Sequence, residues 1–181
     1  YHMKVTQDSL SCLTSSERKE LLGLLEQKYY QAIKNNLNKY SRFIHIPGAP
    51  VSDNEDCDTF YQDNVTPAKH HDLIMDALSD VSLGKIKNLM IFMPPGSAKS
   101  TYASVVFPTW YMGAFPRSNI IMTTYGHDLA KKFGRKCRQI VKSKEYQNLF
   151  NTTLSGDNAA VDDWSLANGS TYMCGGILSG I

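Results

Sequence analysis

The longest periodic pattern in the chain lies near its start. Leu21, Leu25, Tyr29, Ile33 and Leu37 recur every four residues, and Leu22 and Leu24 widen the stripe. Thr14 and Glu17 stand at the spacing of a capping box just ahead of it. Together they predict one amphipathic helix of about five to seven turns, ending near Tyr40 and packed against the core. Pro47, Gly48, Pro50, Asp53, Asn54, Glu55, Asp56 and Asp58 then break the pattern, so residues 47–66 read as a loop. Helical spacing resumes from Pro67 to Leu78 through Leu73, Ile74, Ala77 and Leu78, and Gly84 closes it.

From Lys87 to Met93 the chain is almost continuously apolar, which predicts a strand buried on both faces of a parallel sheet. A helix carrying Ala103, Val105, Val106 and Phe107 follows and is expected to stop or kink at Pro108. Asn119 to Thr124 predicts a second buried strand, and Asp128 to Val141 a second helix. Strand, loop, helix, strand, helix is the order of an open α/β sheet with right-handed crossovers. Asn168-Gly169, between Trp164–Ala167 and Ser170–Met173, predicts a hairpin. Gly175, Gly176 and Gly180 make the last stretch read as turns.

Composition narrows the picture mainly by exclusion. The 181 residues suffice for one domain with a sizeable core. Hydrophobic residues at 42% and charged residues at 20% exclude disorder and a coiled coil as descriptions of the whole. A net charge of +2 announces no nucleic-acid binder, so such a signal must come from local clustering. Cys12, Cys57, Cys137 and Cys174 form no Cys-x-x-Cys pair, which argues against a zinc site and a disulfide framework and fits a reducing cytoplasm. His70 and His71 are adjacent and cannot share a helix face as a metal pair. No apolar run reaches the roughly 20 residues of a membrane span. Tyr1-His2, ahead of Met3, reads as a cloning remnant.

The chemistry concentrates in Pro94-Pro95-Gly96-Ser97-Ala98-Lys99-Ser100-Thr101. A phosphate-binding loop needs a strand that delivers a tight turn to a helix N-terminus. It needs backbone N–H groups converging on the anion, a lysine for the outer phosphates and a hydroxyl for Mg²⁺. The run offers the amides of Gly96 to Ser100 as the cradle, Lys99 as the cation and Ser100 as the metal ligand. The usual pattern is Gly-x-x-x-x-Gly-Lys-Ser/Thr. Met93 stands at its first glycine and Ala98 at its second, so Lys99-Ser100 and the context carry the match. An ordinary strand-to-helix turn is the competing reading.

Residues 93–100 resemble the divergent phosphate loop of the large terminase subunit, the DNA-packaging motor ATPase of tailed double-stranded DNA bacteriophages. The resemblance extends over about residues 60–181. It includes Pro67-Ala68-Lys69-His70-His71, Phe107-Pro108-Thr109-Trp110, Thr123-Thr124-Tyr125, Asp128-Leu129-Ala130, Phe133-Gly134-Arg135, Trp164, Gly169 and Tyr172. It implies a RecA-like P-loop NTPase sheet, mostly parallel with helices on both faces and incomplete at the C-terminus. An N-terminal helical extension over 3–60 would precede the partial ATPase domain over 61–181.

The family likeness further implies ATP and Mg²⁺ as cofactors, bound by Pro95, Gly96, Ser97, Ala98, Lys99, Ser100 and Thr101. Lys99 and Ser100 would take the catalytic roles, and His71 would sit beside the adenine. The alternative for His71 is a polar residue on a helix surface. Implied partners are double-stranded DNA, the portal protein, the small terminase subunit and further copies in a ring on the capsid, in the host bacterial cytoplasm. The family's in-loop arginine has no counterpart here. Its acidic water-activating pair and its nuclease carboxylates are expected beyond Ile181, so the chain alone is expected to bind nucleotide with little turnover.

Lys131, Lys132, Arg135, Lys136, Arg138, Lys142 and Lys144 crowd the second predicted helix and its end. They read as a grip on DNA phosphates, as a solvated helix face with cations near its C-terminus or, for Arg135 and Arg138, as groups facing a neighbouring subunit's nucleotide. Asp157, Asp162 and Asp163 read as solvated carboxylates. Two rivals stay open: another P-loop enzyme of helicase or phosphotransfer type, and a non-catalytic interaction module.

Overall fold

The computed structural model describes residues 14–54, 57–63 and 66–177. Cys12, Glu55, Asp56 and Gly180, all noted above, lie outside them. The first helix, α1 (Ser15–Lys34), begins at the expected capping box, with Thr14 N–H donating to Glu17 at 2.8 Å. It does not run on to Tyr40. The chain breaks at Asn35-Asn36, and the Asn36 side chain caps a separate α2 (Leu37–Phe43) by accepting from Lys39 N–H. The break redirects the apolar stripe. Ile33, Leu37 and Tyr40 are buried, but Leu22, Leu24, Leu25 and Tyr29 are exposed, so most of α1 does not pack on the core as its periodicity predicts.

The expected loop at 47–66 contains a short antiparallel pair, β1 (Ile46–Pro50) and β2 (Phe60–Asp63). Helix α3 (Lys69–Ser82) follows as predicted and ends before Gly84, which takes φ +71°. Lys87–Met93 is the clearest departure. The segment is not a strand. Leu89, Ile91 and Met93 pack on the core, while Met90 (79%) and Phe92 (85%) are exposed, giving the two-residue alternation of an extended chain with one wet face. No strand among the described residues pairs with it. An apolar run signals the tendency to be buried, but burial on both faces needs neighbours, which the described residues do not supply.

After the 94–101 loop, α4 (Lys99–Thr101) passes through a π-helical turn, Tyr102–Val106, into α5 (Phe107–Ala114). Pro108 therefore does not stop the helix. The widened turn comes just before the proline ring. Proline cannot serve the carbonyl of Ser104, which instead accepts from the Cys137 thiol at 3.5 Å. Thr109 Oγ1 lies 3.0 and 2.9 Å from the carbonyls of Val105 and Val106. Two tyrosines close this buried network: Tyr40 donates to Thr109 Oγ1 at 3.0 Å and Tyr146 to the Thr109 carbonyl at 2.9 Å. Trp110 Nε1 donates to the Lys34 carbonyl at 2.9 Å and ties the end of α1 to α5.

The remaining elements are β3 (Asn119–Thr124), α6 (His127–Lys142), α7 (Lys144–Phe150), β4 (Leu154–Ala159), β5 (Asp163–Leu166) and β6 (Thr171–Gly176). They build a mixed sheet in the order β3-β6-β5-β4, in which β3 and β6 are parallel and the other pairs antiparallel. The architecture is mixed α/β. Against expectation the sheet is not mostly parallel, and one face stays open. Asn119, Ile121, Thr123, Thr171 and Met173 are exposed along β3 and β6. The other face is covered by α6, whose Ala130, Gly134, Cys137 and Val141 form the buried stripe. Gly134 permits this approach, since a Cβ there would meet the Val161 carbonyl at 2.8 Å.

Gly175 and Gly176 belong to β6 rather than to a turn. The predicted hairpin forms, with Trp164 opposite Tyr172 and their rings stacked 4.8 Å apart. Its loop has three residues, Ala167–Gly169, instead of two. Gly169 N–H bonds the Leu166 carbonyl at 2.9 Å, and Gly169 takes φ +85°, the pattern of a turn closed by a left-handed glycine.

Candidate functional site

Pro94-Pro95-Gly96-Ser97 folds as a tight turn, with Ser97 N–H and Oγ donating to the Pro94 carbonyl at 3.4 and 2.7 Å. Proline second and glycine third is the composition of a type II turn, and Gly96 has the positive φ (+80°) that the third position requires. Ala98 then takes φ 53°, ψ 17°, a left-handed conformation that costs a residue with a Cβ about 1–2 kcal/mol. The usual second glycine of a phosphate loop stands at this position, so the backbone keeps the glycine conformation without the glycine. From Lys99 the chain is helical.

The consequence is a row of unspent donors. The N–H groups of Gly96, Ala98, Lys99, Ser100 and Thr101 bond no acceptor among the described residues. Residues 94–101 enclose a concavity of about 350 Å³. Lys99 lines it and forms no ion pair with a carboxylate among the described residues. Ser100 lies exposed on the first helical turn. Pro95, Gly96, Ser97, Ala98, Lys99, Ser100 and Thr101 therefore meet at one place. Chemically, such a site offers positive partial charge and one full cation to an anion. Among the described residues no group of three or more His, Cys, Asp or Glu side chains is arranged to hold a metal ion. Any Mg²⁺ would rest on Ser100, phosphate oxygens and water, the habit of that ion at nucleotide sites.

His71 is buried (9% exposed) on the first turn of α3, and both of its ring nitrogens are engaged. Nδ1 accepts the Ala68 N–H at 3.0 Å, and Nε2 lies 3.1 Å from the Ser97 carbonyl. Its ring packs against Tyr102 at 4.4 Å and His70 at 3.9 Å between centroids. The surface-residue alternative is thus excluded, and its polar contact is with the loop itself. Sequence spacing gave no hint of that contact, because residues 71 and 97 lie far apart in the chain.

The basic helix α6 lies across the chain from β1 and β2. Lys131, Lys132 and Arg135 open onto a cleft of about 500 Å³ with Asp53, Cys57 and Phe60 on its other wall. Arg135, Arg138 and Lys142 open onto a second cleft of about 370 Å³ with Asp58. Arg135 Nε pairs with Asp58 at 3.2 Å. Lys136 is turned away from both: it donates to the Pro47 carbonyl at 3.1 Å and lies 5.3 Å from the Phe60 ring centre. Burial holds its pKa below that of an ordinary lysine. Gln139 serves as a strand partner for Phe60, bonding its N–H and C=O at 2.9 Å each. Asp162 faces His127 at 3.6 Å and Asp163 begins β5, while the side chain of Asp157 lies outside the description.

The spacing of Cys57 in the sequence carries no sign of its chemistry. Hydrogen bonding from Ser52 first, then from backbone groups around Thr59 and Ser52, lowers its thiol pKa to about 7. Burial pushes Cys137 up to about 12 and Cys174 up to about 11. No helix among the described residues is long and apolar enough to cross a membrane. No family model matches the chain, and comparisons with curated proteins and with solved structures give no match.

Proposed function

We propose that the 94–101 loop binds the phosphates of ATP with Mg²⁺, and that the chain is the ATPase part of a viral DNA-packaging motor of the large-terminase type. One observation carries the phosphate reading. A tight turn and a helix start leave the amides of Gly96, Ala98, Lys99, Ser100 and Thr101 without acceptors among the described residues, around a concavity lined by a lysine that pairs with no carboxylate among them. Leaving so many donors idle is costly unless an anion or water takes them. Lys99 would neutralise the outer phosphate oxygens and Ser100 would hold the metal. The packaging assignment rests on the resemblance of residues 60–181, and RecA-like relatedness is part of the same proposal. On this reading Lys131, Lys132, Arg135 and Arg138 grip DNA phosphates without reading sequence.

Thermal unfolding with and without millimolar Mg²⁺ and a non-hydrolysable ATP analogue tests the nucleotide claim. Ligand at about 100 times its Kd stabilises by about 2.7 kcal/mol. For a domain of this size that is roughly 5–10 °C. Lys99→Ala is expected to lose the shift while keeping the fold. A folded wild-type protein whose Tm does not move removes the proposal. The open sheet face, with Ile121 and Met173 exposed, favours a second reading as an interaction module. That reading expects no nucleotide-dependent shift in any variant.

A further inference from the structure

A phosphate cradle works only if each peptide unit shows the anion its N–H and not its C=O. In residues 96–98 this choice is not fixed by chain geometry alone. Ala98 sits at φ 53°, and turning the Ser97–Ala98 peptide over would carry it to a negative φ that a residue with a Cβ favours, so what holds the Ser97 carbonyl decides the sense of the plane. What holds it is His71. The Ala68 N–H donates to Nδ1, so that nitrogen carries no proton and the ring's single proton sits on Nε2. Nε2–H therefore donates to the Ser97 carbonyl, 3.1 Å away.

The Ser97 C=O and the Ala98 N–H belong to one trans peptide and point in opposite directions. His71 does not line the concavity, whereas Ala98 does. We propose that His71 is a positioning residue: by holding the Ser97 carbonyl outward, it turns the Ala98 N–H toward the bound anion. This rests on the reading of 94–101 as a phosphate site and adds the group that sets its polarity. The ring itself is fixed from three sides, by the Ala68 bond, by Tyr102 and by His70. It is a rigid post on α3 against which the Ser97–Ala98 peptide is braced. The same brace helps retain Ala98 in the conformation where glycine is usual.

Two variants separate donor from acceptor. His71→Asn keeps an acceptor for Ala68 but is too short to reach Ser97. His71→Gln carries an amide N–H₂ long enough to donate to the Ser97 carbonyl. Two readouts are taken on each: the residual dipolar coupling of the Ala98 N–H in weakly aligned protein, and the Kd for Mg·ADP. The wild type and His71→Gln are expected to share one Ala98 coupling, with Kd values within about threefold. His71→Asn is expected to change the coupling and weaken Mg·ADP at least about tenfold, the scale of one hydrogen bond at a charged group. His71→Phe, which keeps a ring on Tyr102, replaces His71→Asn if the latter fails to fold. An unchanged coupling and Kd in the donor-less variant overturn the proposal, as does a His71→Gln protein no better than His71→Asn. If the wild type binds no Mg·ADP, the phosphate reading falls, and the Ala98 coupling alone decides whether His71 sets the peptide plane.

Discussion

At the scale of single residues, the loop's backbone is set by two positions of opposite character. Gly96 at φ +80° has open space where a Cβ would be, so Gly96→Ala is penalised by conformation and not by packing. Ala98 already accepts the same kind of penalty at φ 53°. Gly96→Ala should therefore lower stability by about 1 kcal/mol, and Ala98→Gly should raise it by up to about 1 kcal/mol. In urea unfolding the two midpoints move in opposite directions with unchanged m-values. Movement of both in the same direction would contradict the backbone assignment. The thiols give a second residue-level expectation. Cys57, lowered to about 7, exists mainly as thiolate above that pH and as thiol below it. Peptide-resolved alkylation should find Cys57 half-maximally reactive near pH 7. Cys137 and Cys174, raised and buried, should stay inert until the protein unfolds.

At the scale of elements, legibility follows whether the signal is local. The capping box at Thr14, the helix over Lys69–Ser82, the helix over His127–Lys142 and the Asn168-Gly169 hairpin were readable, because each is fixed by contacts within a few residues. The break at Asn35-Asn36 was missed because a four-residue repeat continues across it in sequence. Of the two outcomes expected at Pro108, a stop or a kink, the helix takes the second, through the widened turn Tyr102–Val106, and the Cys137 thiol beside the Ser104 carbonyl is the part that only the fold supplies. Apolarity predicts a strand over Lys87–Met93 because it measures the demand for burial and says nothing of pairing. The amides of this run have no ladder among the described residues, which sets an expectation for hydrogen exchange. Leu89 to Met93 should exchange within seconds to minutes although three of their side chains pack on the core, while β6 between β3 and β5 stays protected. Slow exchange across Leu89–Met93 would mean that a pairing partner exists. The candidate site was legible as a string, from Pro94 to Thr101. The His71 brace was not, since it joins two segments that only the fold brings together.

At the scale of the whole molecule, two surfaces with different chemistry coexist: the 94–101 concavity and the basic clefts between α6 and the β1–β2 pair. The cations of α6 do not act alike. Lys132 is exposed at a cleft, while Lys136 is spent on Pro47 and Phe60. If the clefts hold duplex DNA, Lys132→Ala should weaken binding equally across sequences and reduce the slope of log K against log salt by about 1. Lys136→Ala should leave that slope alone and instead lower stability by about 1 kcal/mol. Equal effects of the two substitutions on the salt slope would remove the distinction. Asp53 and Asp58 on the facing wall moderate the field of the clefts, in keeping with a modest net charge and non-specific contact.

The phosphate site stands or falls with the amides of the loop turning toward one anion. A ¹⁵N-resolved NMR titration with Mg²⁺ and a non-hydrolysable ATP analogue reads those amides individually. The largest shifts are expected at Gly96, Ala98, Lys99, Ser100 and Thr101, saturating together, and absent in Lys99→Ala. Unmoved resonances at these five positions in a folded protein, with millimolar nucleotide present, would contradict it.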